Sequence, residues 1–415
     1  MPSLLPNRTL ADLRDSFAHQ NLERLSRFEP PSPPPTNAYD EIRGSFVLDK
    51  LKEWSAKNKP SIEAAMKAQV FGAKGSIQWT NAFLPFMEST AVYLRDWGFL
   101  LEAWREIRAY KNAKVDDLSR YQKIVELHNK AYEQIDELAH EWGMHYVHIC
   151  DLVSEHPQGK PYWDGPFCGA FLPNDPATSS PFIGLAFKGT NPFQPEEVAV
   201  DCCYQLIEAS KELGHQQVSV GVYTGLFGTF NVLKTSPFAL ICQQLRELTR
   251  FFKNQPTRPR IHVTGHSLGG SYSQLCYAGL LTAAPDEFPD KATMGDQYTY
   301  GAPRIGSQDW ARYNTKLVSK ADGQTWRIVH NDDLVPQIPP TSLQPKQLNF
   351  RHVDQGVKIF TGRVPQIIPS EIEEPDPKVY TINNWDDFVN TVLYGVEHRE
   401  YSLLHSSDLH SWLCF

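Results

Sequence analysis

The sequence has 415 residues, of which 41% are hydrophobic and 21% are charged, so it predicts a packed globular protein with one large domain and an extension, or with two domains. The formal net charge is −8 and no basic stripe is present, which argues against nucleic acid as a partner. Seven scattered cysteines without metal-ligand spacing, an N-terminus that turns polar early and the lack of a long apolar run predict a cytoplasmic protein without a signal peptide or membrane span.

Residues 1–118 are predicted to form a Pro-rich arm and a helical extension. Prolines dominate residues 30–35, which favours a polyproline II spacer. Residues 46–118 have helical periodicity, and Pro60 is expected to break a helix. One stretch carries apolar and aromatic residues at helical spacing: Val92, Tyr93, Trp97, Leu100, Leu101, Trp104 and Ile107. This stripe predicts packing against the main domain, with docking on a lipid surface as the alternative.

Residues 119–415 are predicted to form the main domain. Residues 119–150 have the periodicity of one amphipathic helix, and from about residue 165 short apolar strands alternate with helices. The candidate strands are 166–171, 182–187, 218–223, 261–264, 298–300, 326–329 and 357–360, and candidate helices include 196–213 and 240–251. This alternation predicts an α/β fold with a mostly parallel central sheet and helices on both faces.

One strand–turn–helix segment carries a serine at its apex. Ile261 and Val263 form a buried-strand pattern, the turn Gly265-His266-Ser267-Leu268-Gly269 follows, and a helical pattern continues to Pro285. The turn matches the G-x-S-x-G nucleophile elbow, in which glycines let the strand and the helix approach each other closely. The alternative is a glycine-containing turn with a bystander serine.

A serine nucleophile needs a base, because its hydroxyl is barely ionised at neutral pH, and the base needs an orienting carboxylate. Asp332 and Asp333 compete for the carboxylate, since both follow the candidate strand at 326–329. Four histidines lie downstream: His352, His398, His405 and His410. His398 lies in a charged helical run and is predicted to be on the surface, whereas the other three remain open as the base.

Four short motifs follow one another along the chain. They are Phe187-Lys188-Gly189-Thr190, Gly265-His266-Ser267-Leu268-Gly269-Gly270, Gly301-Ala302-Pro303-Arg304-Ile305-Gly306 and His330-Asn331-Asp332-Asp333-Leu334-Val335-Pro336. In this order they resemble the class 3 (fungal-type) lipase family of the α/β-hydrolase fold. The resemblance covers about residues 180–340, extends more loosely to about 412, and implies an α/β-hydrolase domain at 119–415 that carries the extension at 1–118.

The resemblance also implies a catalytic triad. Ser267 falls on the family's nucleophile and Asp333 on its carboxylate. The family's last histidine lies near the C-terminus before aromatic residues, a place that His410 fits best, with His405 and His352 as alternatives. The segment around His352 is loosely similar to a second family histidine, for which a structural role is implied.

The oxyanion hole implied by the resemblance consists of Thr190 and the backbone N–H of Leu268, at the start of the elbow helix. Two departures from the family pattern concern the same region. Lys188 replaces the common arginine, which removes any planar bidentate hydrogen bonding there. Residues 191–198, where the family has a lid helix, contain two prolines and few large apolar residues, so a mobile lid of the usual kind is not expected.

The implied function is a serine carboxylic-ester hydrolase that releases fatty acids from lipid esters, with acylglycerols as the first substrate class and no metal or cofactor. The partner is then a lipid ester, met in solution or at a membrane or lipid-droplet surface. Three alternative functions are compatible with the same sequence: phospholipase A activity, acyl transfer to an alcohol, and a catalytically idle lipase-like scaffold. A label specific for active serines and a panel of ester substrates would distinguish them.

Overall fold

The computed structural model describes residues 9–28, 38–67, 75–113, 118–155, 161–162, 165–175, 180–189, 205–229, 235–288, 291–331 and, with short gaps, 333–374. The helices in these ranges are α1 (Leu10–Leu25), α2 (Ala38–Lys67), α3 (Trp79–Ala91), α4 (Trp97–Ala113), α5 (Leu118–Ala131), α6 (Glu133–Glu141), α7 (Val220–Phe227), α8 (Pro237–Thr249), α9 (Leu268–Glu287) and α10 (Gln308–Ser319). None of the helices in the described ranges is both long and apolar enough to span a lipid bilayer.

The strands fall into one large sheet and three small ones. The large sheet contains β1 (Met144–Asp151), β4 (Phe167–Pro173), β5 (Phe182–Lys188), β8 (Arg260–His266), β9 (Thr293–Tyr300), β11 (Thr325–His330), β15 (Gly356–Phe360) and β16 (Arg363–Ile368). The small sheets contain β2 (Ser154–Glu155) with β3 (Pro161–Tyr162), β12 (Ser342–Leu343) with β13 (Lys346–Gln347), and β6 (Leu206–Glu208), β7 (Gln217–Ser219), β10 (Gly306–Ser307) and β14 (Phe350–Arg351).

The large sheet has the strand order β1-β4-β5-β8-β9-β11-β15-β16. Strands β5, β8, β9, β11 and β15 run parallel to one another, whereas β1, β4 and β16 add antiparallel margins. The prediction of a mostly parallel central sheet is therefore confirmed. Since the carboxyl ends of parallel strands meet at one edge, the loops that follow β8 and β11 lie on the same side of the sheet.

Side chains of the central strands alternate between two buried faces, as a strand with helices on both sides requires. In β5, Ile183 and Leu185 pack with side chains of α9 in one apolar cluster. Phe182 and Ala186 point the other way and pack with side chains of α3 in another. The predicted helices on both faces of the sheet are thus confirmed.

Helix α3 covers one face of the sheet although it lies in the predicted N-terminal extension. The Thr264 hydroxyl on β8 donates to the Pro85 carbonyl of α3, at 3.0 Å. Glu88 on α3 lies 2.6 Å from Nε2 of His262, and both side chains are fully buried. Burial raises the pKa of the Glu88 carboxyl, and the nearby His262 opposes that shift. The division of the chain into residues 1–118 and 119–415 stays a proposal, and α3 connects the two parts.

Several predicted element bounds are wrong. Helix α2 continues through Pro60, because buried side chains beyond the proline, Ile62 and Met66, hold its last turns in the apolar cluster. The predicted single helix at 119–150 is α5, α6 and strand β1. Gly143 has φ 78°, a conformation that ends helices, so the chain turns there into β1.

Two further predicted elements change type. The candidate strand 218–223 contributes only its first residues to β7, and α7 begins at Val220. Within the candidate helix 196–213, residues 206–208 are strand β6, and 196–204 lie outside the described residues. Pairing between strands determines the secondary structure of both segments. β7 pairs with β10 on one side and with β6 on the other.

The aromatic stripe packs inside the protein. Val92, Leu100 and Ile107 are at most 1% exposed, and the indole N–H of Trp104 donates to the Leu25 carbonyl of α1 at 3.0 Å. A buried indole with a satisfied N–H is a core residue. Val92, Leu100 and Ile107 belong to one apolar cluster with Phe167 and Phe171 of β4, so the predicted packing against the main domain is confirmed for these residues.

Candidate active site

Ser267 lies at a sharp turn between β8 and α9. Its φ is 56°, in the left-handed region that non-glycine residues seldom adopt, and the residue is 8% exposed. The Ser267 N–H donates to the Tyr300 carbonyl on β9, and the Gly270 N–H donates to the Ser267 carbonyl, both at 2.9 Å. Backbone hydrogen bonds on both sides of the serine thus hold it in a strained conformation, as the predicted nucleophile elbow requires.

The elbow glycines are needed because backbone approaches backbone at this turn. A Cβ atom on Gly265 would lie 2.2 Å from the Gly269 carbonyl oxygen. One on Gly269 would lie 2.2 Å from the Phe187 carbonyl oxygen and 2.8 Å from the Gly189 nitrogen. The first turn of α9 therefore packs directly on the end of β5. This contact places the first turn of α9, whose Leu268 N–H has no acceptor within its own helix, beside Gly189.

We expect Gly269→Ala to lower the free energy of unfolding by about 3 kcal/mol or more, because its methyl group would collide with rigid backbone. Gly98→Ala is the matched control, since its methyl group would meet only the Asp96 Oδ1 atom at 3.1 Å on the surface of α4. The control should change stability by less than about 0.5 kcal/mol. Urea unfolding followed by tryptophan fluorescence measures both. Equal midpoints for the two variants would contradict the close contact between α9 and β5.

Asp333 lies just beyond β11 and is 1% exposed. Its N–H donates to the His330 carbonyl at 3.0 Å, and its Oδ1 accepts from the Val335 N–H at 2.9 Å. Because β9 alone separates β8 from β11, two strand spacings place Asp333 about 10 Å to the side of Ser267 at the same sheet edge. An imidazole between them can reach both residues. Asp332 lies outside the described residues.

His352 is buried below the loop that follows Asp333. Its Nε2 lies 2.5 Å from the Pro336 carbonyl oxygen, to which it donates. Burial lowers the pKa of His352 well below its usual value, so the ring is neutral at pH 7. A neutral imidazole with Nε2 committed to a carbonyl holds this loop in place, which supports the structural role over the role of base. The other candidates, His405 and His410, lie outside the described residues, as do Thr190 and the segment 191–198.

Tyr93 is a site residue that the sequence analysis missed. Its hydroxyl lies 3.0 Å from Nδ1 of His266, next to the serine, and a Cβ atom on Gly189 would come within 2.8 Å of that hydroxyl. The ammonium of Lys188 lies 5.2 Å from the Tyr93 ring centroid and donates to the Gly189 carbonyl at 3.0 Å. Burial raises the pKa of Tyr93, so the phenol stays protonated. Tyr93 thus joins the end of β5 to the elbow.

The sequence offered no signal for this contact. Tyr93 fitted the helical stripe, and its partner His266 is 173 residues away along the chain. Lys188, in the place of the family's common arginine, donates a hydrogen bond to the Gly189 carbonyl and makes a cation–π contact, and neither needs a planar group. The substitution is therefore accommodated by the aromatic ring that the extension supplies.

Comparison with known proteins finds a family match for the segment that carries these features. Residues 184–343 match the family model described as lipase (class 3). A lipase from Rhizopus niveus is 30% identical over 196 residues, which cover 47% of this chain and 43% of the relative. Triacylglycerol lipase OBL1 from Arabidopsis thaliana is 23% identical over 296 residues, covering 66% of this chain and 50% of the relative. The chain thus spans about half the length of these relatives.

Among solved structures, lipase II from Rhizopus niveus aligns with a TM-score of 0.38 and 20% identity, covering 70% of this chain and 86% of the other. The matched range 184–343 begins in β5 and contains the whole of β8, the elbow and the loop that carries Asp333. It therefore contains all four sequence motifs in full and most of β5, the strand that leads into the first motif. Residues 184–343 are therefore similar to the class 3 lipase family, and the mostly parallel sheet with its elbow has the arrangement of the α/β-hydrolase fold.

Proposed function

We propose that the chain is a serine carboxylic-ester hydrolase that releases fatty acids from lipid esters. The observation that carries the proposal is the elbow: Ser267 sits at φ 56° between a buried strand and a helix, with Asp333 at the same edge of the sheet. A serine without a catalytic role does not require a strained backbone. In a nucleophile elbow, the strained turn presents the serine hydroxyl to the acyl carbon of the substrate. The relatives named as lipases support the same reaction class.

In the proposed mechanism Ser267 attacks the ester carbonyl while His410 accepts the serine proton and then passes it to the leaving alcohol. Asp333 orients the imidazole and stabilises the imidazolium that forms. An acyl-enzyme results, and water attacks it with His410 again as the base, which releases the fatty acid. The buried Asp333, with Oδ1 held by the Val335 N–H, is suited to this role because its orientation is fixed.

The tetrahedral intermediate carries a negative oxygen that needs fixed donors. We assign them to the Leu268 N–H and to Thr190. The contact between Gly269 and the end of β5 supports this pairing, because it brings the first turn of α9 beside Gly189, the neighbour of Thr190. The N-terminus of a helix also favours negative charge, which adds to the effect of the Leu268 N–H.

Acylglycerols are the proposed substrates, since the Arabidopsis relative is named a triacylglycerol lipase. Phospholipid deacylation and acyl transfer to an alcohol would use the same residues. A lipid surface, of a membrane or a droplet, is the proposed place of encounter, because long-chain esters reside in such surfaces. The idle-scaffold alternative is disfavoured by the elbow, whose strained serine has no structural use.

The test is a substrate panel on the full chain. Emulsified triolein, diolein, phosphatidylcholine vesicles and a short-chain p-nitrophenyl ester are incubated separately, and released fatty acid is titrated. We expect release from both acylglycerols at rates above that from phosphatidylcholine. Release from phosphatidylcholine alone would replace the substrate class with phospholipids. A folded chain that releases acid from none of the four would overturn the proposal.

A further inference from the structure

Two backbone segments meet at the proposed oxyanion hole. One is the elbow, which includes the Leu268 N–H, and the other is the end of β5, where Gly189 precedes Thr190 in the sequence. The parallel pairing of β5 with β8 ends at Phe187 and Gly265, so the sheet does not fix the distance between the two segments beyond that pair. Donors to an oxyanion must be held to within about 0.5 Å. Another group is therefore needed to hold the segments together.

The hydroxyl of Tyr93 contacts both segments. It lies 3.0 Å from Nδ1 of His266 and 3.5 Å from the His266 carbonyl oxygen. A phenol hydroxyl can donate to Nδ1 or accept from it, so either tautomer of the imidazole forms this hydrogen bond. Burial raises the pKa of the phenol, and the backbone N–H of Gly189 beside it opposes that shift. The same oxygen atom thus faces the elbow and the end of β5.

Gly189 is packed tightly between Tyr93 and the elbow. A Cβ atom on Gly189 would lie 2.8 Å from the Tyr93 hydroxyl, 2.9 Å from the His266 carbonyl oxygen and 3.0 Å from the Gly269 nitrogen. The ammonium of Lys188 donates to the Gly189 carbonyl at 3.0 Å and lies 5.2 Å from the centroid of the Tyr93 ring. Tyr93 therefore meets Gly189 with its hydroxyl, and its ring supports the cation that holds the Gly189 carbonyl.

The position of Tyr93 is fixed by the helix before it. Tyr93 lies in the 3₁₀ turn Val92–Leu94, directly after α3, and both ends of that turn are buried. Helix α3 is joined to the elbow strand β8 by the hydrogen bond from the Thr264 hydroxyl to the Pro85 carbonyl. A side chain that is held in this way can position the backbone groups that it contacts.

We propose that Tyr93 is a positioning residue for the oxyanion hole, which makes the N-terminal extension part of the catalytic apparatus. This inference rests on the hydrolase function proposed above. The hydroxyl holds Gly189, the neighbour of Thr190, against the elbow, so that the donors of the two segments converge on one oxygen atom. That oxygen carries a full negative charge only after the serine has attacked. The alignment of the donors therefore affects the rate of reaction and hardly affects the affinity for the ester.

The test is Tyr93→Phe in the full chain, which removes the hydroxyl and keeps the ring beside Lys188. Acylation and deacylation both pass through an oxyanion, so both steps should slow. We expect kcat for a short-chain p-nitrophenyl ester to fall about 10- to 100-fold, while KM stays within about twofold of the wild type. A purely structural tyrosine would not produce this separation of kcat from KM.

An aliphatic trifluoromethyl ketone tests the same donors without turnover. The Ser267 oxygen bonds to its carbonyl carbon, the serine proton passes to the base, and the electron pair of the carbonyl π bond moves to the oxygen, which becomes the oxyanion. Because this adduct resembles the tetrahedral intermediate, its inhibition constant should rise in Tyr93→Phe by about the same factor as kcat falls.

Tyr277→Phe is the matched control. Tyr277 lies on α9 about three turns beyond Ser267, and its buried hydroxyl donates to the Gly295 carbonyl at 2.7 Å. Both variants lose a hydrogen bond of a tyrosine hydroxyl, so both should unfold at a lower temperature than the wild type. The control should nevertheless keep kcat and the inhibition constant within about twofold of the wild type.

Two results would overturn the proposal and leave the hydrolase in place. A kcat of Tyr93→Phe within about twofold of the wild type would reduce the hydroxyl to a structural role. A higher KM with unchanged kcat would assign Tyr93 to ester binding instead of the oxyanion. A folded wild type that neither hydrolyses esters nor takes a fluorophosphonate label would refute the hydrolase itself, and this inference would fall with it.

Discussion

Replacing Ser267 with alanine is expected to lower the rate of ester hydrolysis by about 10⁴- to 10⁶-fold and to abolish labelling by a fluorophosphonate. The covalent step depends on the hydroxyl, whereas binding and the oxyanion donors stay in place. The measurement is kcat/KM for a p-nitrophenyl ester together with mass spectrometry of the labelled chain. The adduct on the wild type should lie on Ser267.

The control for this experiment is Ser271→Ala, one turn further along α9. Ser271 is fully buried, and its hydroxyl has no hydrogen-bond partner among the described residues. Loss of the Ser271 hydroxyl should leave both the rate of hydrolysis and the extent of labelling within about twofold of the wild type. The substitution breaks no hydrogen bond to a described residue and hardly changes the side-chain volume. A Ser267→Ala chain that still reacts with the label, or a folded wild type that does not, would remove Ser267 from its proposed role.

His410→Ala is expected to lower kcat/KM by about 10⁴-fold or more, because the serine then has no base. His405→Ala should leave the rate within about threefold of the wild type. Added imidazole gives a second readout, since it can enter the space of the missing ring and restore part of the activity only where the base was removed. Rates with and without imidazole for both variants test the assignment.

The opposite pattern, in which His405→Ala is inactive and rescued by imidazole, would transfer the role to His405. His352→Ala should behave differently from both. It removes the donor to the Pro336 carbonyl, so its first effect should be a lower unfolding midpoint, and imidazole should not restore activity. Inactivation of a stably folded His352→Ala chain with rescue by imidazole would contradict its structural role.

The elbow could be predicted from the sequence because its determinants are local. Gly265, Ser267 and Gly269 lie within five residues, and the apolar strand before them is buried in a parallel sheet whose pattern is equally local. The acidic pair Asp332 and Asp333 could be located for a related reason, since it follows another buried strand, and the family resemblance selected Asp333. Ser267 and Asp333 lie where the chain leaves the sheet, a position that the order of strands determines.

The features that could not be predicted from the sequence depend on contacts between segments that are distant along the chain. Residues 144–151 looked like the end of a helix, and they became β1 because they pair with β4 in antiparallel register. Tyr93 looked like one more residue of an apolar stripe, yet its hydroxyl reaches His266. The helical periodicity contains no information about which distant segment a side chain will meet. The sequence does not decide which histidine is the base of the triad for the same reason. The base is the histidine that lies between the serine and the aspartate in space, and the local sequence pattern does not reveal that position.

Helix α3 has a consequence for the order in which the protein is made. Residues 79–91 leave the ribosome before β5, β8 and β9, the strands whose one face they cover. Domains generally fold during synthesis in the direction from the N-terminus. Each of these strands can therefore find its apolar cover already present when it emerges. The nascent strands β5 and β8 then expose less apolar surface to neighbouring chains while α9, which covers their other face, is still being translated.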